Sequence, residues 1–176
     1  SPMSRGLGDV YKRQDLNNIN QILYEGDRFG YDYDAVISKA TVFGIGLYSF
    51  PKVDFFFGLD ARYTSFYRDG KMRNGQFADN SFGKSETQTF FDPGIKAGIT
   101  YKATGRHVLF ANTVYETRAP FFRNAYISPR TRDQVAPNLV SEKIHGLEGG
   151  YVFRSPYAKV NAVSYTHLRA HETSET

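Results

Sequence analysis

Residues 53–67 read VDFFFGLDARYTSFY, and their parity decides the fold. Val53, Phe55, Phe57, Leu59, Ala61 and Tyr63 share one parity, while Asp54, Gly58, Asp60, Arg62 and Thr64 share the other, with Phe56 the exception. Period-two alternation marks a strand whose two faces meet different surroundings. A slip of one residue would turn Asp54, Asp60 and Arg62 onto the apolar side together, so the register is forced. At about 3.4 Å per residue the run spans roughly 50 Å, against about 5–6 residues for an ordinary strand. The expectation is the wall of a large barrel.

Outward from that strand the chain reads as hairpins with asymmetric connections. Strand 36–49 meets a tight turn at Phe50-Pro51-Lys52 before the long strand. A polar stretch from Arg68 to Gln88 follows, with turn signals at Asp69-Gly70 and Asn74-Gly75. Strand 89–101 sets Phe91, Ile95, Ala97, Ile99 and Tyr101 against Asp92, Gly94, Lys96, Gly98 and Thr100. A short turn at 102–106 leads to strand 107–118, where Leu109, Ala111 and Tyr115 are expected on the apolar face and Asn112 and Glu116 opposite. A long loop from Ala119 to about Val140 precedes strand 141–153, and Arg154-Ser155-Pro156 turns into a last strand that begins at Tyr157. Short turns alternating with long loops are the polarity of outer-membrane barrels. Strands 53–67 and 107–118 would then run outward, and residues 15–35 would end an earlier external loop. The candidate lipid-facing set is Phe55, Phe57, Leu59, Ala61, Tyr63, Ile95, Ala97, Ile99, Leu147, Tyr151 and Phe153.

Composition fits. The chain has 176 residues with 13 Tyr and 15 Phe, an aromatic load that favours strands. No run of about 18 apolar residues offers a transmembrane helix, and a mean hydropathy of −0.48 is compatible with barrel strands, which need apolar residues only at alternate positions. With no cysteine, disulfides, thiolate metal sites and thiol nucleophiles are excluded. No secretory signal peptide is visible at Ser1. Residues 1–14, SPMSRGLGDVYKRQ, and about 163–176, VSYTHLRAHETSET, break the pattern and resemble translated sequencing-adapter tails, so residues 15–162 carry the fold. The first tail contributes a net +2 and the second a net −1 to the formal +4, leaving +3 between them. That is too mild a charge to imply a nucleic-acid partner.

Between the tails, FFDPGIKAGITYKATGRHVLFANTVYETRAPFFRNAY and PNLVSEKIHGLEGGYVFRSPYAKV resemble the C-terminal half of TonB-dependent outer-membrane receptors. In that family a strand ending in Arg-Ala-Pro rises into a long loop, and an Asn-Leu-x-x-Glu element opens the next strand. Here these are Arg118-Ala119-Pro120, Asn138-Leu139 with Glu142, and then Glu148 with Tyr151 and Phe153. DARYTSFYRDGKMRNGQF and NSFGKSETQTFFDP look similar to receptors from gut-type Gram-negative bacteria, so the likeness covers most of residues 29–162. Ser141 replaces the family's usual Pro, leaving the strand entry less rigid. The resemblance implies an all-β chain: about five to six strands of an antiparallel transmembrane barrel of about 22 strands, in the Gram-negative cell outer membrane. It implies outer-membrane lipid around the wall, an N-terminal plug domain inside and an inner-membrane energy-coupling complex acting through that plug. It also implies an extracellular nutrient ligand, scarce and bulky: an iron chelate, cobalamin, glycan or peptide. Plug, energy-coupling box and signal peptide are not in this sequence, so the chain is expected to be a piece of a larger receptor.

Candidate site residues follow. Arg118 and Glu142 fall at the outer ends of neighbouring strands, where a lumen-side ion pair could steady the wall against the plug or the folded-in loop; the alternative is a solvated rim pair worth about 0–1 kcal/mol. In loop 119–140, Phe121, Phe122, Arg123, Tyr126, Arg130 and Arg132 suit capture of an anionic or catecholate-like ligand by stacking and forked hydrogen bonds, although lipopolysaccharide contact or loop packing would use the same residues. Arg68, Lys71 and Arg73 with Phe66 and Tyr67 form a second basic and aromatic cluster, but this strand-and-loop setting does not suit nucleic acid. Nothing calls for an enzyme, a cofactor or a metal. His167 and His171 have helical metal spacing but lie in the tail, His107 and His145 lack a carboxylate partner by spacing, and Asp69-Gly70-Lys71 lacks the remainder of a calcium loop. Two other classes share the alternation: a soluble lipocalin-like barrel with a small apolar ligand inside, and a passive outer-membrane channel without a plug.

Overall fold

A computed structural model describes residues 12–170. Residues 1–11 and 171–176, His171 among them, lie outside the described residues. The chain is all-β. Six long strands, β1 (Tyr33–Ser49), β2 (Val53–Gly70), β4 (Gln88–Lys102), β5 (His107–Arg118), β6 (Glu142–Arg154) and β7 (Lys159–Ala170), hydrogen-bond in the order β1-β2-β4-β5-β6-β7. A two-residue strand, β3 (Gly83–Lys84), pairs with the end of β2. The sheet is antiparallel and open, with β1 and β7 at its two ends.

Expected and observed strands agree closely in the middle and differ at the ends. The Asp69-Gly70 pair, read as a turn, is strand: Asp69 faces Lys84 and Gly70 faces Gly83. Asn74-Gly75 does turn, its Asn74 Oδ1 accepting from the main-chain N–H groups of Gln76 and Phe77 at 3.0 and 3.3 Å, the local bonding for which Asn is favoured.

Compact packing divides the chain into two units. One is made of residues 39–64, 90–119 and 140–170, the strand-rich part, and its three connections are short and sealed. Phe50 N–H reaches the Val53 carbonyl at 2.9 Å, Ser155 N–H reaches that of Ala158 at 2.8 Å, and Thr104 Oγ1 accepts from the N–H groups of Arg106 and His107.

Register separates the faces of this unit. Ile95, Ala97, Ile99 and Tyr101 stand opposite Tyr115, Thr113, Ala111 and Leu109, and the last four stand opposite His145, Leu147, Gly149 and Tyr151. On the other face Gly94, Lys96 and Gly98 meet Glu116, Val114 and Asn112, which meet Ile144, Gly146 and Glu148. The apolar side chains stay open: Phe55, Phe57, Leu59, Ile95, Ile99, Leu109 and Leu147 are all exposed. A sheet with one solvated polar face normally buries its apolar face; here the apolar face lies open, while Asp92 and Ile144 on the opposite face are buried.

The strand at each end is less regular. In β1, Ile45 lies beside Gly58 on the side of Lys96, whereas Tyr48 stacks on Phe55, ring centroids 4.8 Å apart, on the opposite face. Both faces of β1 therefore carry large apolar groups, which is why its parity is unreadable. In β7, Val160 and Ala162 oppose Phe153 and Tyr151, but Ser164 and Thr166 then take the face of Leu147 while Val163 and Tyr165 take that of Glu148. Pairing continues past residue 162; the polarity inverts.

The other unit, residues 12–38, 65–89 and 120–139, has little regular structure and the densest burial. Phe66, Ala125 and Tyr126 are its apolar centre, with Arg68, Asn74, Ser81 and Ser85 also buried.

Candidate functional site

Two constellations carry the candidate residues, one in each unit. On the polar face of the strand-rich unit, charges pair along and across strands. Arg62 donates from Nε to Asp60 at 2.9 Å and from Nη2 to Glu116 at 2.7 Å. Gly94, opposite Glu116, makes this possible, since a Cβ there would lie 2.5 Å from Asp60 Oδ1. Lys96, Phe43 and Ile45 border the same charges around an open hollow of about 350 Å³. Next along, Asn112 donates to Glu148 at 3.2 Å.

Arg118 and Glu142 are brought together as the spacing expects. They are direct register partners, with Arg118 Nη2 2.7 Å from Glu142 Oε2. Asp92 is also on this face and buried, one carboxylate oxygen accepting from Ala119 N–H at 3.0 Å and the other without a partner among the described residues. Glu116, Arg62 and Asp92 were not among the candidates. Their parity was visible, but cross-strand partners depend on register, which local pattern does not reveal.

The loop candidates divide between packing and exposure. Phe122 sits among rings, its centroid 6.2 Å from Tyr33, 5.8 Å from Phe66 and 5.0 Å from Tyr126. Tyr126 is 3% exposed, and its hydroxyl lies 2.9 Å from Ser85 Oγ. These two form the centre of the loop unit. Phe121, Arg123 and Arg130 are exposed; Arg130 stands 5.3 Å from the Tyr31 ring and Arg132 4.7 Å from that of Phe77, both within reach of cation–π attraction. Arg132 Nε is buried without a hydrogen-bond partner among the described residues.

The second basic cluster is not a surface patch, because Phe66 and Arg68 are both 1% exposed. Lys71 lies against Asp69 and 3.4 Å from Asp34. The hydrogen bond to Asp69, reinforced by both carboxylates' charge, holds its ammonium above the ordinary lysine value.

The histidines form aromatic pairs. His107 Nδ1 is 2.5 Å from Tyr151 Oη, His145 packs 4.5 Å from the Tyr115 ring, and His167 Nδ1 is 2.8 Å from Tyr165 Oη. Among the described residues no cluster of His, Asp and Glu suited to a metal is present. Comparison of the chain with protein-family models, with curated proteins and with solved structures returns no match.

Proposed function

We propose that this chain forms part of the barrel wall and external loops of a TonB-dependent, energy-coupled outer-membrane receptor that imports a scarce, bulky nutrient. The observation that carries the reading is the two-faced sheet. Its exposed aromatic and aliphatic face spans β2, β4, β5 and β6, and its opposite face holds Asp60, Arg62, Lys96, Glu116, Arg118 and Glu142. Lipid would cover the first face and the water-filled or plugged lumen would receive the second. The short turns at 50–52, 103–106 and 155–158 then fall on the periplasmic side, and the long connections 71–87 and 119–141 outside.

The open sheet favours a large barrel over a small one, since among the described residues β1 and β7 each have a partner on one side only, and a closed wall would need strands beside their outer edges. In this reading Phe121, Arg123 and Arg130 are the loop residues available to a ligand, while Phe122 and Tyr126 shape the loop that presents them.

Expression of the complete reading frame in a Gram-negative host tests the proposal. Membrane fractionation should place the product in the outer membrane, with the heat-modifiable electrophoretic mobility of a folded barrel. Energy-dependent uptake of a nutrient, lost on deletion of the energy-coupling complex, would separate a receptor from a passive channel. A product that is monomeric and folded in water without detergent would overturn the membrane assignment.

A further inference from the structure

The loop-rich unit is built around a buried cation, Arg68, whose guanidinium donates to main-chain oxygens and whose own backbone exchanges hydrogen bonds with Ser85. Arg68 Nε donates to the Pro129 carbonyl and Nη1 to the Ser81 carbonyl, each at 2.7 Å, and Arg68 N–H donates to Ser85 Oγ at 2.9 Å. Its guanidinium carbon stands 5.1 Å from the centre of the Tyr33 ring. Desolvating a guanidinium is costly, and its rigid fork can hold two separate acceptors where an ammonium offers a single point charge on a flexible stem.

The two acceptors belong to different connections. Ser81 lies in the segment that follows β2, and Pro129 in the segment that follows β5. Three more contacts join the same segments: Asp133 N–H to the Asn80 carbonyl at 2.7 Å, Tyr126 Oη to Ser85 Oγ at 2.9 Å, and Arg132 against the Phe77 ring. Neither segment can leave its place without breaking bonds held by the other.

We infer that the connections 71–87 and 120–139 are one cooperative element keyed by Arg68, so that a ligand or partner displacing either one displaces both. The inference rests on geometry within this unit and stands whether or not the chain is a receptor. Loops that fold separately have separate opening equilibria; loops locked together share one.

Hydrogen exchange of the folded full chain, read by mass spectrometry across a denaturant series, tests this. Peptides covering 77–82 and 127–133 should lose protection together, at one shared denaturant concentration. In Arg68→Met and Arg68→Lys the shared transition should split in two, with both peptides exchanging at least about tenfold faster in the absence of denaturant. Peptides over 95–101 and 107–114 should be unchanged, which certifies that the variants fold. Tyr126→Phe, which removes one cross-link and leaves Arg68 in place, should keep a single transition. Two separate transitions in the unsubstituted chain would overturn the inference, as would a shared transition that persists in Arg68→Met. If the Arg68 variants do not fold, the number of transitions in the unsubstituted chain decides alone.

Discussion

Arg62 reaches Glu116 across an intervening strand: its Nη2 stands 2.7 Å from Glu116 Oε2, although β2 and β5 are separated by β4. Neighbouring strands lie about 4.8 Å apart, so the two side chains together span roughly two such spacings, about 10 Å in all. Gly94 stands opposite Glu116 on the intervening strand, where a Cβ would collide with the Asp60 carboxylate that Arg62 also binds. One arginine thus links β2 to β5 across β4, and the glycine on the intervening strand leaves room for the Asp60 carboxylate it also holds.

The network should therefore be worth more than the pair at Arg118 and Glu142. Arg62 and Glu116 are both mostly shielded and Arg62 has a second carboxylate, whereas Arg118 has a more exposed side chain. A double-mutant cycle on Arg62 and Glu116, read from denaturant unfolding of the refolded chain, should give a coupling above about 1 kcal/mol, the upper end for exposed pairs. The same cycle on Arg118 and Glu142 should fall within about 0.2–1 kcal/mol. Gly94→Ala should weaken the first coupling and leave the second unchanged.

Phe57 and Ile99 sit on the exposed apolar face, 47% and 51% open. If lipid covers that face, Phe57→Arg or Ile99→Arg should each cost about 2–4 kcal/mol near the bilayer midplane. Reversible unfolding from lipid vesicles measures this. Lys96→Met, a change on the charged face, should fold into vesicles without that loss. A chain that accepts both arginines at no cost does not meet lipid there.

Much of this was legible in the sequence, and the failures have physical causes. Strand 107–118 was bounded correctly, and the apolar parity of 53–63 and 95–101 matches the observed faces, because alternation is a local property of the chain. β2 continues through Asp69-Gly70 because Lys84 and Gly83 pair with it, and partners thirteen and fifteen residues away leave no trace in a local window. Phe122 and Tyr126 resembled ligand-binding aromatics for the same reason: the groups that bury them, Tyr33, Phe66 and Ser85, come from other parts of the chain. Arg118 and Glu142 could be paired from the sequence because they are the last residue of one strand and the first of the next, and antiparallel neighbours joined in sequence bring such ends together.

Gly70 and Gly105 make opposite predictions for one substitution. A Cβ on Gly70 would lie 1.9 Å from the Ser81 carbonyl oxygen, a main-chain atom already bonded to Arg68. Gly105 has nothing within 4 Å of that position. Gly70→Ala should destabilise by about 1–3 kcal/mol, as overpacking of a filled site does, and should raise proteolysis within 76–82. Gly105→Ala should be within about 0.5 kcal/mol of neutral.

Lys71 supplies a pH signature. Its ammonium pairs with Asp69 and Asp34, and these contacts raise its pKa above the ordinary value of 10.5. A raised folded-state value means that the charged lysine favours the folded chain. Its contribution is complete below pH 10.5, the value of the unfolded chain, and fades as pH rises through the higher folded value. The difference in Tm between the unsubstituted chain and Lys71→Gln should be constant from neutral pH to about 9 and shrink above the ordinary lysine range. Salt should reduce it throughout, because the ammonium is on the surface.

Asn138 is the one described non-glycine residue with a left-handed backbone, at φ 56°. It stands four residues before Glu142, in the Asn-Leu-x-x-Glu element that leads into β6. Asn tolerates this conformation through local hydrogen bonding, and glycine adopts it freely, but a side chain with only a Cβ incurs about 1–2 kcal/mol. Asn138→Gly should therefore keep near-native stability while Asn138→Ala loses about 1 kcal/mol or more. If backbone strain is the reason, the loss in Asn138→Ala should appear as faster exchange in 138–142, with 147–153 unaffected. Equal losses for both substitutions would instead assign the requirement to the amide side chain and what it bonds.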